Sequence, residues 1–138
     1  GFDSGAYEAS NVYLDSDGGL YKWYTATAGT GTYYMSNTTV SICPKGWRLP
    51  TGASGGEFQA LYNNYNSPLA LRSSPVNLTL SGRVSSSSRD YQGSNGYYWS
   101  STVYSSSNAY YLGLNTSDVN PANYVNKYNG YSVRCIAR

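Results

Sequence analysis

One stretch of the chain, residues 55–65, is the best helix candidate. Phe58, Leu61, Tyr62 and Tyr65 fall on a common face there, and Pro68 follows the end. The other regular segments are short and β-prone. Val12-Tyr13-Leu14 and the run from Leu20 to Tyr24 flank a turn-rich connector, residues 15–19. Residues 25–39 are rich in Gly, Thr and Ser and read as loop, and residues 43–51 are too punctuated by Pro and Gly for a regular element. Leu78, Leu80 and Val84 alternate, and residues 97–102 form a compact aromatic strand. Residues 109–115 alternate cleanly, with Tyr110, Leu112 and Leu114 on one face and Tyr111, Gly113 and Asn115 on the other. Residues 132–137 read as a last strand with Val133, Cys135 and Ala137 on one face. Residues 105–108 and 116–129 are long polar loops. The sum is an α+β chain, mostly antiparallel, with one main helix. No internal repeat and no second domain is visible, so the 138 residues read as a single domain, enough to bury roughly two-thirds of the unfolded surface.

Charge narrows the functions. Nine Lys and Arg stand against seven Asp and Glu, and charged residues make up 12%, about half the usual share of roughly 25%. A formal net charge of +2, scattered along the chain, is not the basic footprint of a nucleic-acid binder. No stretch approaches the ~18 apolar residues of a membrane span. The absence of histidine removes the commonest general base and the commonest metal ligand. The chain starts at Gly1 with no visible signal peptide, which leaves an upstream signal or anchor undecided.

The two cysteines, Cys43 and Cys135, admit two readings. One is a disulfide closing most of the domain, worth up to about 4–5 kcal/mol by loop entropy; the other is a pair of buried free thiols. Low charge and high Ser, Asn and Tyr content suit an extracellular or cell-surface location.

Candidate catalytic groups are sparse. Asp15-x-Asp17-Gly18 resembles the start of a calcium loop, but the twelfth position is Ala26 where a bidentate Glu is needed. Glu57 at the helix start suits the dipole and reads as structural. Asp90 beside Arg89 reads as a solvated loop pair. The run from Ser85 to Ser88 reads as linker, with no base to make any of its hydroxyls a nucleophile. Asn37, Asn77 and Asn115 head Asn-x-Ser/Thr patterns expected by chance in this composition. Asn120-Pro121-Ala122-Asn123, with Asp118 as the one nearby carboxylate, is a poor calcium site, and Pro121 reads as fixing the loop. The chain therefore reads as a non-enzyme with no cofactor and no metal.

Three blocks in order carry a resemblance: the run from Cys43 to Gly52 (Cys-Pro-Lys-Gly-Trp-Arg-Leu-Pro-Thr-Gly), Gly96-Tyr-Tyr-Trp99-Ser-Ser-Thr102, and Tyr131-Ser-Val-Arg-Cys135. Over residues 12–138 the chain resembles the Fibrobacter succinogenes major paralogous domain, a bacterial surface-protein family with a C-type-lectin-like fold. Glu57-Phe58 stands where many relatives have Glu-Trp. The resemblance implies that Trp47, Trp99, Cys43 and Cys135 hold the fold. It implies further that the N- and C-terminal strands pair. A lectin-fold enzyme resembling formylglycine-generating enzymes would need a free reactive cysteine.

The C-terminal block also resembles the variable proteins of diversity-generating retroelements, in which Asn codons are mutated to Tyr, Ser, Gly, Asp, Thr or Val. The segment of about residues 97–131 is dense in that set, and residues 130–138 resemble the invariant end. The implied ligand-facing residues are Tyr97, Tyr104, Asn108, Tyr111, Gly113, Asn115, Asp118, Tyr124, Val125, Asn126 and Tyr128. Tyr, Ser, Gly and Asn also dominate antibody paratopes, where Tyr gives contact area at low entropy cost. The expected function is a non-catalytic module binding an unknown macromolecular ligand, protein or glycan. The alternative is a structural or adhesin surface domain whose tyrosines cap a loop-rich fold or pack against neighbours.

Overall fold

A computed structural model describes residues 12–15, 18–29, 40–86 and 88–138. The expected helix forms as α2 (Glu57–Asn64), and Phe58 is its buried residue, with Leu61, Tyr62 and Tyr65 packed around the same cluster. Its first residue is tied back to the preceding loop by a reciprocal pair of hydrogen bonds. Thr51 Oγ1 accepts from the Glu57 amide at 3.0 Å, and Glu57 Oε1 accepts from the Thr51 amide at 2.9 Å. The Arg48 guanidinium grips the same carboxylate with two bonds, at 2.5 and 2.6 Å. Pro68 does more than end a helix. With Ser67 as N-cap it opens a short second turn, α3 (Pro68–Leu71), which buries Leu71.

The remaining architecture is antiparallel, as expected, in small sheets. β1 (Val12–Asp15) and β2 (Gly18–Tyr21) form a hairpin, after which Trp23 and Tyr24, expected in the strand, turn into α1 (Trp23–Ala26). Much of the loop expected at 25–39 lies outside the described residues. β3 (Trp47–Arg48) is a two-residue strand in the segment expected to be irregular, and it pairs with β9 (Ile136–Ala137). The expected pairing of the two chain ends is a single bridge: Tyr21 and Tyr131 exchange backbone bonds of 2.8 and 3.0 Å. β4 (Arg83–Ser85) and β5 (Ser88–Asp90) form a tight hairpin where a linker was expected. Its charges are engaged: Arg89 Nη1 donates to the Ser81 carbonyl at 2.5 Å, and Arg83 lies 3.8 Å from Asp90.

The principal sheet is β6 (Asn95–Val103), β7 (Asn108–Asn115) and β8 (Val119–Asn126), in that order. β8 occupies residues expected as loop, and its polar composition hides it from any period-two reading. Each face of this sheet carries a buried cluster. One packs Trp99, Ala109 and Tyr111 against Trp23, Ala26, Cys43, Leu49 and Tyr131; the other packs Tyr98, Leu112 and Leu114 against Phe58, Leu71, Val76 and Leu78. Cys43 and Cys135 form a disulfide, Cα atoms 5.9 Å apart, and among the described residues no cysteine is free.

Trp47 is a correction. It is 47% exposed, while the fully buried tryptophans are Trp99 and Trp23. Trp99 donates its indole N–H to the Tyr21 carbonyl at 2.6 Å, and Trp23 donates to the Ser100 carbonyl at 2.9 Å. Trp47 sits on a two-residue strand paired only with β9, and about half of its surface stays in solvent.

Candidate functional site

Strand register decides where each candidate side chain goes. Across β6, β7 and β8, Tyr97, Gly113 and Asn120 stand side by side, as do Trp99, Tyr111 and Asn123. Their side chains share one face. Tyr110 and Tyr124, and likewise Asn108 and Asn126, pair on the opposite face. The expected alternation of residues 109–115 is therefore real, but the face assigned to solvent is covered at Tyr111. Tyr111 is only 8% exposed. Its ring lies 4.9 Å from Tyr131 in a T-shaped contact and 5.8 Å from Tyr97, and its hydroxyl accepts from Asn123 Nδ2 at 3.0 Å. Burial raises the Tyr111 hydroxyl above the usual tyrosine value. Val125 packs against the same cluster. Tyr111 leaves the ligand-facing set because a cluster built from distant residues covers its face at that position, while Val125 is partly buried against the same cluster.

The β6–β7 turn carries an exposed aromatic group. Tyr104 and Tyr124, 48% and 44% exposed, stack with ring centroids 3.6 Å apart and planes at 4°. Tyr110, expected in the core, stands edge-on to both, at 5.6 and 6.0 Å. A hydrogen bond to Tyr124 raises the Tyr104 hydroxyl above the ordinary tyrosine range. Asn108 and Asn126 flank the group as a cross-strand pair. Tyr128 is exposed nearby in sequence, with the Lys22 ammonium 5.6 Å over its ring. Asn126 Oδ1 fixes that corner by accepting from the Tyr128 amide at 2.9 Å. Tyr104, Asn108, Tyr124, Asn126 and Tyr128 thus gather around one end of the sheet.

Lys127, unmarked by any motif, holds the turn from beneath. Its side chain is fully buried. Its ammonium donates to the Ser106 carbonyl at 3.1 Å and lies 4.5 Å over the Trp23 ring, while its amide donates to the Ser107 carbonyl at 2.9 Å. Burial lowers the Lys127 ammonium from its ordinary value. A lone lysine in a polar segment gives no sequence signal of this kind, since lysine is seldom buried.

Tyr97, Gly113, Asn115 and Asp118 come together at the other end of the sheet. With Asn95, Asn120 and Asn123 they line a cleft of about 420 Å³. Asn115 Oδ1 shapes its wall by accepting from the Ser117 and Asp118 amides, both at 2.8 Å. Asn95 Nδ2 donates to the Tyr97 hydroxyl at 3.0 Å, and the Arg83 guanidinium lies over the rings of Tyr91 and Tyr97, at 5.1 and 5.9 Å. The eleven candidates therefore divide into a group around the exposed tyrosines, a cleft at the opposite end, the buried Tyr111 and the partly buried Val125.

A more apolar cleft of about 440 Å³ lies beside α2, lined among others by Phe58, Leu61, Val76, Leu78, Arg134 and Ile136. Among the described residues no three Cys, Asp or Glu are grouped to hold a metal ion, and no helix is long and apolar enough to cross a membrane. Comparison with protein-family models, with curated proteins and with solved structures finds no match to the chain.

Proposed function

We propose that this chain is a non-catalytic surface protein that binds a macromolecular ligand, protein or glycan, through the tyrosine-rich end of its principal sheet. One observation carries the reading. Tyr104 and Tyr124 stack on each other in solvent while the large apolar side chains of the same sheet are buried in two clusters. Rings exposed in this way, with Tyr128 nearby and Asn108 and Asn126 between, offer contact area at little entropy cost and adaptable hydrogen bonds. Tyr97, Gly113, Asn115 and Asp118 form a second patch on the same scaffold.

The scaffold is a C-type-lectin-like fold, and the chain is a variable protein of the retroelement type related to the Fibrobacter succinogenes major paralogous domain. The mostly antiparallel α+β architecture and the disulfide from the Cys43 block to the chain end support that reading. The disulfide also suits an extracellular or cell-surface location. Two measurements test the proposal. Binding to arrays of glycans and of cell-surface proteins should be lost when Tyr104, Tyr124 and Tyr128 are together replaced by Ser; binding that survives the triple change rejects the site. The gene should lie beside a reverse transcriptase and a near-copy of the segment for residues 97–138 that differs at adenines; a locus without them rejects the diversification.

A further inference from the structure

β8 is the outer strand of the principal sheet, and an outer strand offers unpaired N–H and C=O groups to any other strand that approaches. The register shows which amides point outward. The Lys127 amide reaches the Ser107 carbonyl, continuing the ladder in which Val125 opposes Ala109 and Asn123 opposes Tyr111. Residues 123, 125 and 127 therefore bond inward to β7, and Tyr124 points its amide away from it. A one-residue irregularity between Asn123 and Asn120 leaves Pro121 and Ala122 out of the paired register with β7.

None of these three positions leaves a free amide for an added strand. Pro121 has no N–H to offer. Asn120 Oδ1 accepts from the Ala122 amide at 3.1 Å, and Asn123 Oδ1 accepts from the Tyr124 amide at 2.9 Å. Helix α2 packs beside the same strand. The two asparagine carboxamides occupy two of the donors that an incoming strand would need, those of Ala122 and Tyr124.

We propose that Asn120 and Asn123 seal the β8 edge against strand addition, so that a partner meets this surface through side chains alone and a second copy of the chain cannot extend the sheet. The sealing stands whether or not the tyrosine group binds a ligand. Its chemistry is local: an amide oxygen replaces the carbonyl of an added strand, at the cost of fixing the asparagine rotamer.

The test is amide hydrogen exchange on the disulfide-bonded protein, read residue by residue by NMR. Asn123→Ala should speed exchange of the Tyr124 amide about twofold to tenfold, the range expected for one net hydrogen bond, and Asn120→Ala should do the same for Ala122. Asn123→Asp is the control, because it keeps the oxygen that accepts from the Tyr124 amide while removing the N–H that donates to Tyr111; its Tyr124 amide should stay protected. The Asn120→Ala/Asn123→Ala protein should self-associate more strongly than the parent in sedimentation equilibrium, with an unchanged near-ultraviolet spectrum. Exchange that does not accelerate in the alanine variants overturns the caps. Faster exchange with unchanged self-association overturns their sealing role and leaves Pro121 and α2 as sufficient.

Discussion

Replacing each of two tryptophans by alanine separates the structural account from the sequence pattern, which treats Trp47 and Trp99 alike. Trp99 is fully buried, its ring is 4.6 Å from that of Tyr131, and its indole N–H is bonded to the Tyr21 carbonyl. Truncating a buried Trp costs about 3–5 kcal/mol through lost transfer energy and the cavity left behind. The carbonyl keeps its bond from the Tyr131 amide, so the orphaned acceptor adds under about 1 kcal/mol. The expected loss for Trp99→Ala is thus about 4–5 kcal/mol. With a urea slope near ~1.5 kcal/mol/M for a chain of this size, the midpoint should fall by about 3 M. Trp47 is half exposed and leaves no closed cavity, so Trp47→Ala should cost about 1–2 kcal/mol. Urea unfolding of the oxidised proteins, followed by far-ultraviolet circular dichroism, measures both. Costs equal within about 1 kcal/mol would refute the assignment of the core.

Glu57 is held from 4.5 down to about 2, chiefly by its hydrogen bonds to Arg48 and secondarily by the Thr51 amide. The stability it contributes is present above pH 4.5 and lost as pH falls from there to 2. Because both side chains are about a third exposed, Glu57→Gln should cost only about 1 kcal/mol at pH 7, and it should flatten the acid limb of a stability–pH curve. At the alkaline end, burial keeps Tyr131 protonated well above its ordinary 10 while the unfolded chain ionises. Stability should therefore fall above pH 10, and Tyr131→Phe should remove about 1.4 kcal/mol of that fall by pH 11, as urea midpoints at pH 8 and 11 would show. Reducing Cys43–Cys135, which are separated by 92 positions, should cost up to about 4–5 kcal/mol, read as a drop in urea midpoint with dithiothreitol.

Several elements were legible in the residues because they bury a single face. Phe58, Leu61, Tyr62 and Tyr65 announce α2, and Leu112 and Leu114 announce one face of β7. The disulfide was one of two open readings, and the fold brings the two cysteines within reach. What escaped has a physical reason in each case. β8 carries Asn and Pro where a strand pattern needs apolar alternation, since half of it faces solvent and its asparagines serve its own backbone. Tyr111 alternates as an outward residue should, but a second cluster built from Trp23 and Tyr131 covers that side, and no local pattern reports a distant cover. Trp23 was hidden at the end of an apparent strand that turns into a helix. Of the tyrosines the resemblance placed toward a ligand, Tyr104, Tyr124 and Tyr128 are exposed and Tyr111 is buried, a difference that no local pattern carries.

The central claim is that Tyr104, Tyr124 and Tyr128 are there for a partner and not for the fold. Urea unfolding of the variant with all three changed to Ser tests it directly. The account predicts a loss of about 2 kcal/mol or less, from the stacked pair and three exposed positions, with the slope unchanged. A loss matching the ~4–5 kcal/mol of Trp99→Ala would make these rings part of the core and contradict the claim.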